Sequence, residues 1–357
     1  MPADLATSFL PIFGYAFVLG GLILLTERIH SRWTHDPTNG SQKVHELPVP
    51  RVGGVAVYGG ALIAYYFTPM DPSVQAIVKV LIVAGFPAFA IGLAEDLTKR
   101  VSVLMRLLVT MSAGLYAVVL SNYTIQSLGL GGWESALLDW RLLAIGFTSF
   151  AVAGVINATN IIDGANGLAS GVVLVMLVAF ASIAIGVGDM SLAAVCMLIG
   201  ALTIGFLVWN WPFGKIFLGD GGAYFLGFVV AWIAVMLPAR NASISPWASL
   251  LVLAYPVIET IFSMTRRRHL ARHPGLPDRL HMHSLVRGRA IARLLPKDCN
   301  ATCRNSATGF LCVFFSIPPA ILAYLFPTKT PYLIAGFAIT AVGYWLVYRR
   351  LTRFRWG

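Results

Sequence analysis

Long apolar runs separated by short polar loops repeat along the whole chain. The runs lie near 8–26, 53–69, 74–94, 103–120, 141–158, 168–187, 191–209, 221–239, 247–264, 306–326 and 332–348. Each holds roughly 17 to 22 residues, and at ~1.5 Å per residue a helix of that length crosses about 30 Å of hydrocarbon. The pattern predicts an all-α polytopic integral membrane protein of about eleven transmembrane helices. An odd number of spans puts the two termini on opposite sides.

The loops carry the sense of insertion. All but four of the 26 Lys and Arg fall within 27–52, 95–106, 159–167, 210–220, 265–305 and 349–357, the alternate loops of this topology and the C-terminal tail. The exceptions, Lys79, Arg141, Arg240 and Lys329, sit near span ends, where a long stem can snorkel. By the positive-inside rule those segments are cytoplasmic, the N-terminus is periplasmic and the tail YRRLTRFRWG is cytoplasmic.

Composition agrees with this architecture. With 57% hydrophobic and 11% charged residues, the chain has more apolar surface than a soluble core could hide. Its net charge of +11 suits cytoplasmic loops and anionic headgroups, and no nucleic acid is needed to explain it. Four Cys, at 196, 299, 303 and 312, make no secreted disulfide framework. Cys299 and Cys303 are four apart, but the last upstream His is sixteen residues from Cys299, so reduced thiols are expected there rather than zinc.

Against so apolar a background, the polar residues at one set of span ends stand out. NATNIIDGANGLASG, residues 157–171, repeats Asn157, Asn160, Asp163 and Asn166 at a three-residue spacing, which on a helix gives neighbouring strips of one surface. The first cytoplasmic loop brings Asp36, Lys43, His45 and Arg51, with Pro residues before Arg51 and Gly53-Gly54 after it. GLAEDLTKR places Glu95 and Asp96 together, an arrangement that needs a neutralising cation. Asp220 stands among glycines in FLGDGG at the start of a span, where it can cap the helix, and where phosphate or metal can approach the free N–H groups. Residues 265–305 form a basic cytoplasmic loop with ten Lys/Arg, and its DRLHMH stretch groups Arg279, His281 and His283, a constellation suited to a polyanion such as a diphosphate.

Asp96, Asp163 and Asp220, several Asn and a basic lid therefore share one membrane face. Carboxylate oxygens in this number suit Mg²⁺, with Mn²⁺ as a substitute, and the set points to phosphoryl transfer at the interface. The chain contains no P-loop, which argues against a nucleotide-driven motor. A transporter for an anionic or lipid-linked solute is the alternative of another class, but polar sites at the bilayer midplane and internal repeats are its marks, and neither is evident.

The ordered series HDPTNGSQKVHELPVPRVGG, GLAEDLTKR, NATNIIDGANGLASG, FLGDGGAYFLG, YPVIET and PDRLHMHS resembles the polyprenyl-phosphate N-acetylhexosamine-1-phosphate transferase superfamily across roughly residues 36–284. The resemblance implies one transmembrane catalytic domain over 1–357 in a bacterial inner membrane, with the 265–305 loop over a cytoplasmic active site. The implied substrates are a UDP-N-acetylhexosamine and undecaprenyl phosphate, with Mg²⁺ as cofactor and lipid-linked cell-envelope glycans as the purpose. A homodimer is left open. By motif position, Asp220 and Asn160 match metal and diphosphate ligands, while Asp96, Glu95, Asp163, His281 and His283 match catalytic positions. Lys43, His45, Arg51, Asn166, Asn210, Phe217 and Arg279 match substrate-binding positions.

Three departures qualify the match. Glu95 stands where the family usually has the first Asp of a pair, Asn166 replaces a frequent Asp, and Ser284 replaces the last His of a His-x-His-His motif. PDRLHMHS nonetheless resembles the small-donor branch, which starts O-antigen, common-antigen and teichoic-linkage synthesis, more than phospho-N-acetylmuramoyl-pentapeptide transferase, the alternative within the superfamily.

Overall fold

The computed structural model describes residues 3–36, 48–132, 138–269, 280–296 and 298–353. Apart from one antiparallel pair of two-residue strands, β1 (His35–Asp36) and β2 (Val49–Pro50), the regular structure among them is helical. The helices are α1 (Ala3–Leu25), α2 (Glu27–Thr34), α3 (Gly53–Phe67), α4 (Pro72–Thr98), α5 (Val103–Ser121), α6 (Arg141–Ile162), α7 (Leu168–Gly186) and α8 (Met190–Asn210). They continue as α9 (Gly219–Arg240), α10 (Pro246–Val252), α11 (Ala254–His269), α12 (Met282–Leu285), α13 (Ala292–Leu294), α14 (Ala301–Val313), α15 (Ile317–Leu325) and α16 (Thr330–Thr352).

Among the described residues, eight helical stretches are long and apolar enough to cross a membrane, or up to ten if each of two bent pairs is one span. The chain is an all-α polytopic membrane protein. Every apolar run read from the sequence falls on helix, but two depart from a simple span. The 247–264 run is α10 and α11, bent by 74°, and the 53–69 run is α3, whose 15 residues reach only about 22 Å.

The bundle is built around α9. Of its apolar window 83% is buried, against 17% for α16 at the periphery. It packs against α3, α4, α6 and α7, with Tyr224, Phe225, Phe228 and Trp232 fully enclosed. Close approach at its N-terminal end depends on two glycines. A Cβ on Gly54 would lie 2.2 Å from the Gly222 nitrogen, and one on Gly92 would lie 2.5 Å from the Asp220 carbonyl. Backbone therefore meets backbone where α3, α4 and α9 converge.

Local sequence explains how the helix ends form. Pro72 starts α4 at a position where a missing N–H costs nothing, and Lys99 ends it in the left-handed conformation. Ser102 then caps α5 by accepting from the Met105 N–H. At the opposite end of the bundle, Asp189 caps α8 and takes a two-pronged ion pair from Arg240 at 2.7 and 2.8 Å. Burial alone would raise the Asp189 carboxyl, but the Arg240 hydrogen bonds outweigh it and pull the group to about 2. One expectation fails here: Cys299 and Cys303, read as reduced thiols, are paired with each other.

Candidate active site

The centre of the site is the N-terminus of α9. A helix start leaves N–H groups without intrahelical acceptors, and α9 has no capping side chain of its own. Asp96 supplies the cap from α4: its two carboxylate oxygens accept the Asp220 and Gly221 N–H groups, each at 2.9 Å. Asp220, expected as a possible cap, is instead the second residue of the helix with its carboxylate turned to cations. Arg51 joins the two acids, with Nε 3.2 Å from Asp96 and Nη2 2.5 Å from Asp220. Arg106 of α5 approaches the other Asp220 oxygen at 3.7 Å. Two buried carboxylates this close repel each other, and the shared guanidinium offsets that cost.

Arg51 is held by backbone rather than by a long helix. Its N–H donates to Thr34, Phe217 N–H donates to Pro50, and Gly53 and Gly54 donate to Phe217 and Leu218. The segment 50–54 thus runs as a strap between the end of α2 and the turn before α9. Gly219 occupies the left-handed region with φ 75°, and a Cβ there would meet the Arg51 carbonyl and the Asp96 carboxylate. Phe217, half-buried, lies in the turn before α9 and exchanges backbone hydrogen bonds with the strap.

The central motif does not form one helical face. α6 stops at Ile162, and Gly164 and the left-handed Gly167 carry the chain into α7. Asn157 turns into the bundle, donating to Thr110 and the Ala153 carbonyl. Asn166 is buried, donating to Ser306 at 3.1 Å and accepting from Asn305 at 3.0 Å. Asn210 accepts from Gly167 N–H at 2.6 Å and donates to the Ile216 carbonyl at 2.8 Å, tying the loop after α6 to the loop after α8. Asn160 and Asp163 remain toward the mouth, and among the described residues neither side chain makes a hydrogen bond. Asp163 keeps some solvent contact, yet burial pushes its carboxyl up to about 7; Arg51 opposes the shift and Asp220 adds to it. Those two influences place Asp163 within electrostatic reach of the Arg51–Asp220 pair.

His281 and His283 complete the mouth. Their rings stack 5.6 Å apart and nearly parallel, and His283 fills the space a side chain at Gly164 would need. Burial holds His283 neutral, pushing its imidazole down to about 4, and its Nδ1 has no partner among the described residues. Glu95 points elsewhere: its carboxylate accepts the Val101 N–H at 2.9 Å and closes the turn after α4. Lys43, His45 and Arg279 lie outside the described residues.

The geometry thus brings together Arg51, Asp96, Asp163, Asp220 and the two histidines, while Asn166, Asn210 and Glu95 spend their hydrogen bonds on the chain itself. Sequence reading missed Arg106 and the buried Glu259, which accepts from His281. A lone carboxylate within an apolar span was the signal for Glu259, since intramembrane charge is costly without a task. Among the described residues no three His, Cys, Asp or Glu form a self-sufficient metal cluster.

Comparison with known proteins identifies the family of the chain. Residues 78–238 match the profile of glycosyl transferase family 4, a range that includes Asp96, Asp163, Asn210 and Asp220. Undecaprenyl-phosphate alpha-N-acetylglucosaminyl 1-phosphate transferase of Escherichia coli (strain K12) is 32% identical over 252 residues, 69% of this chain and 67% of that protein. The Yersinia pestis protein of the same name is 31% identical over the same shares.

Proposed function

The chain belongs to glycosyl transferase family 4, and from that premise we propose that it transfers N-acetylglucosamine 1-phosphate from its UDP-sugar to undecaprenyl phosphate, releasing UMP. The observation that carries this reading is the buried Asp96–Arg51–Asp220 junction at the start of α9, with Asp163 beside it. The sequence left the N-acetylhexosamine open, and N-acetylglucosamine is taken from the names of the relatives. The muropeptide alternative has no such support.

The donor set fits a hard divalent cation. Asp163 accepts no hydrogen bond among the described residues and is repelled by Asp220, so a cation between them would relieve both. Asp220, Asp163 and the Asn160 amide would hold Mg²⁺ or Mn²⁺ together with substrate phosphates. When bound, the ion would neutralise diphosphate charge.

In the proposed reaction an oxygen of the lipid phosphate attacks the β-phosphorus of the UDP-sugar in line. The bond from that phosphorus to the bridging oxygen breaks, and UMP leaves with both electrons. Asp96 fixes the helix N-terminus, whose dipole favours the accumulating negative charge. Arg51 supplies a fork of N–H donors for phosphate oxygens, and the acids on either side set its position. A lipid phosphate is largely ionised near neutral pH, so no strong base is required. The alternative, a covalent phosphate on Asp163, would leave labelled protein after incubation with donor alone.

The remaining features belong to the same proposal: a single catalytic domain in the bacterial inner membrane, eleven spans, a periplasmic N-terminus, and a cytoplasmic site beneath the 265–305 loop. The test is UMP release from UDP-N-acetylglucosamine and undecaprenyl phosphate with Mg²⁺, for wild type and Asp220→Ala. Wild-type turnover with a loss of at least ~100-fold in the variant is expected. A wild-type protein silent with every UDP-N-acetylhexosamine would remove the reading.

A further inference from the structure

The chain turns sharply where α1 ends. Across Thr26 it bends by 88° into α2. His30 closes the bend: its Nε2 donates to the Ile23 carbonyl at 3.0 Å, and its Nδ1 lies 2.7 Å from the Thr34 hydroxyl. Thr34 is buried, and its carbonyl accepts the Arg51 N–H at 2.8 Å, so α2 lies on the same face of the bundle as the Arg51–Asp96–Asp220 junction. From Phe9 to Leu25 α1 carries no charged residue, as a helix within hydrocarbon requires. A helix set at a right angle to it runs along the bilayer surface.

The faces of α2 are sorted to match. At about 100° per residue, His30 and Thr34 share one face, Ile29 and Trp33 form a second stripe, and Arg28 and Arg32 form a third beside it. Ile29 is 77% exposed and Trp33 60%. Scattered exposed apolar residues need no explanation, but this stripe continues an exposed apolar line along α1 through Val18, Leu22 and Leu25. Arg28 and Arg32 are exposed, and neither makes an ion pair or hydrogen bond among the described residues. Glu27, the one acid of the helix, turns to His35 at 2.7 Å instead. Two uncompensated guanidinium groups therefore stand beside an apolar stripe at the level of the headgroups.

We propose that α2 is a docking surface for anionic phospholipid, with Ile29 and Trp33 in the acyl boundary and Arg28 and Arg32 on headgroup phosphates. The occupant is the bilayer because the apolar stripe runs on from the exposed side of a membrane helix and the charge beside it complements anionic lipid. Guanidinium forks match phosphate oxygens, and a Trp ring suits the boundary between chains and headgroups. A leaflet of negative surface potential adds an attraction that zwitterionic lipid does not supply. The inference follows from the membrane fold and does not depend on the sugar-phosphate transfer reading.

Fluorescence quenching in proteoliposomes tests this with the full-length protein in a cysteine-free background. An environment-sensitive fluorophore is placed on Ile29→Cys, or on Ser31→Cys, which lies on the side of α2 away from the apolar stripe. Lipids brominated on the acyl chain should quench the label at 29 and leave the label at 31 nearly untouched. In phosphatidylcholine bilayers, brominated phosphatidylglycerol should associate with the label at 29 at least about fivefold more strongly than brominated phosphatidylcholine at low ionic strength, and high salt should narrow the preference. Arg28→Gln combined with Arg32→Gln should abolish that preference with the melting temperature unchanged, since both side chains are exposed. Arg349→Gln with Arg353→Gln, which removes the same charge at the end of α16, should leave the preference intact. If labelled Ile29→Cys does not yield folded protein, Trp33→Cys carries the fluorophore on the same stripe. Equal quenching at 29 and 31, equal association of the two lipids, or equal loss in the two charge variants would overturn the proposal. Shielding at 29 that follows protein concentration rather than lipid would put a second copy of the chain there, with the same result. Turnover enters none of these readings, so a protein silent with every UDP-N-acetylhexosamine would remove the proposed reaction and leave this surface to be judged by quenching alone.

Discussion

Asp96 and Glu95 are adjacent and differ by one methylene, yet α4 sends them to different tasks. Asp96 accepts two N–H groups of α9 and faces Arg51, while Glu95 closes the turn to Val101. Asp96→Asn would set an amide against one of those N–H donors and remove the charge facing Arg51. A hydrogen bond to a charged group is worth about 1.5–3 kcal/mol, so a clear fall in melting temperature and a loss of UMP release are expected. Glu95→Gln keeps an acceptor for Val101 and should cost under about 1 kcal/mol, with activity close to wild type. Equal losses in the two variants would remove the distinction. Asp163 gives a pH prediction. Its carboxyl, raised to about 7 by burial and the Asp220 charge against the pull of Arg51, binds a proton in competition with any divalent cation. Mn²⁺ affinity measured by titration should rise with pH up to about 7 and then level, and Asp163→Asn should abolish the slope. The sign for stability is the reverse: an acid raised from 3.8 holds its proton more tightly folded than unfolded, so its contribution is greatest in acid and is lost as pH climbs through about 7. The charged residues of this site were legible in the sequence because charge is expensive in an apolar chain. Which partners they take was not, since Arg51 is 45 residues from Asp96 and 169 from Asp220. Asn166 and Asn210 read as ligands for the same reason that Asp163 did, and only three-dimensional contact separates amides that hold loops together from those left facing the mouth.

The helices themselves were easier to read than their junctions. Runs of apolar residues fix where a chain can be helical in a membrane, because every backbone group must find its partner within the segment. They say nothing of how close two helices come. That information sits in single glycines, and Gly54 and Gly92 allow the backbone of α9 to touch α3 and α4 beside Asp220. An alanine at either place must push backbone, not a flexible side chain, and overpacking of this kind costs about 1–3 kcal/mol or more. Gly54→Ala and Gly92→Ala should each lower the melting temperature and reduce UMP release by more than tenfold, because the shift is felt at the Asp96–Asp220 contact. Gly154→Ala, on the exposed side of α6 with open space around it, should change neither. If all three behave alike, glycine content rather than helix contact governs the effect. The bend between α10 and α11 was hidden for a related reason: the run 247–264 is apolar apart from Glu259 and a few hydroxyl side chains, and hydropathy does not register a change of direction.

At the scale of the whole molecule, charge and chemistry make the same choice of side. The basic segments include the strap bearing Arg51, the turn after α4, the loop before Asp220 and the His281–His283 turn, so the proposed site and the proposed cytoplasmic face coincide. The Asp189–Arg240 pair lies at the far ends of α8 and α9, and its two charges cancel, leaving that end without a net basic signal. A nucleotide sugar is too polar to cross the bilayer, so a site facing the wrong side would be chemically useless, and orientation becomes a direct test of function. In a background without the native cysteines, Ser73→Cys, in the exposed first turn of α4, and Lys329→Cys, just before α16, both at the opposite end, should react with an impermeant maleimide in intact spheroplasts. Arg100→Cys and Arg353→Cys should react only in inverted vesicles. The pair that matters most is Ser73 with Arg100, because one helix, α4, joins them and Asp96 lies four residues before Arg100. Labelling of Arg100→Cys from outside would invert the site along with the topology, and transfer from a cytoplasmic nucleotide sugar could not then be the reaction.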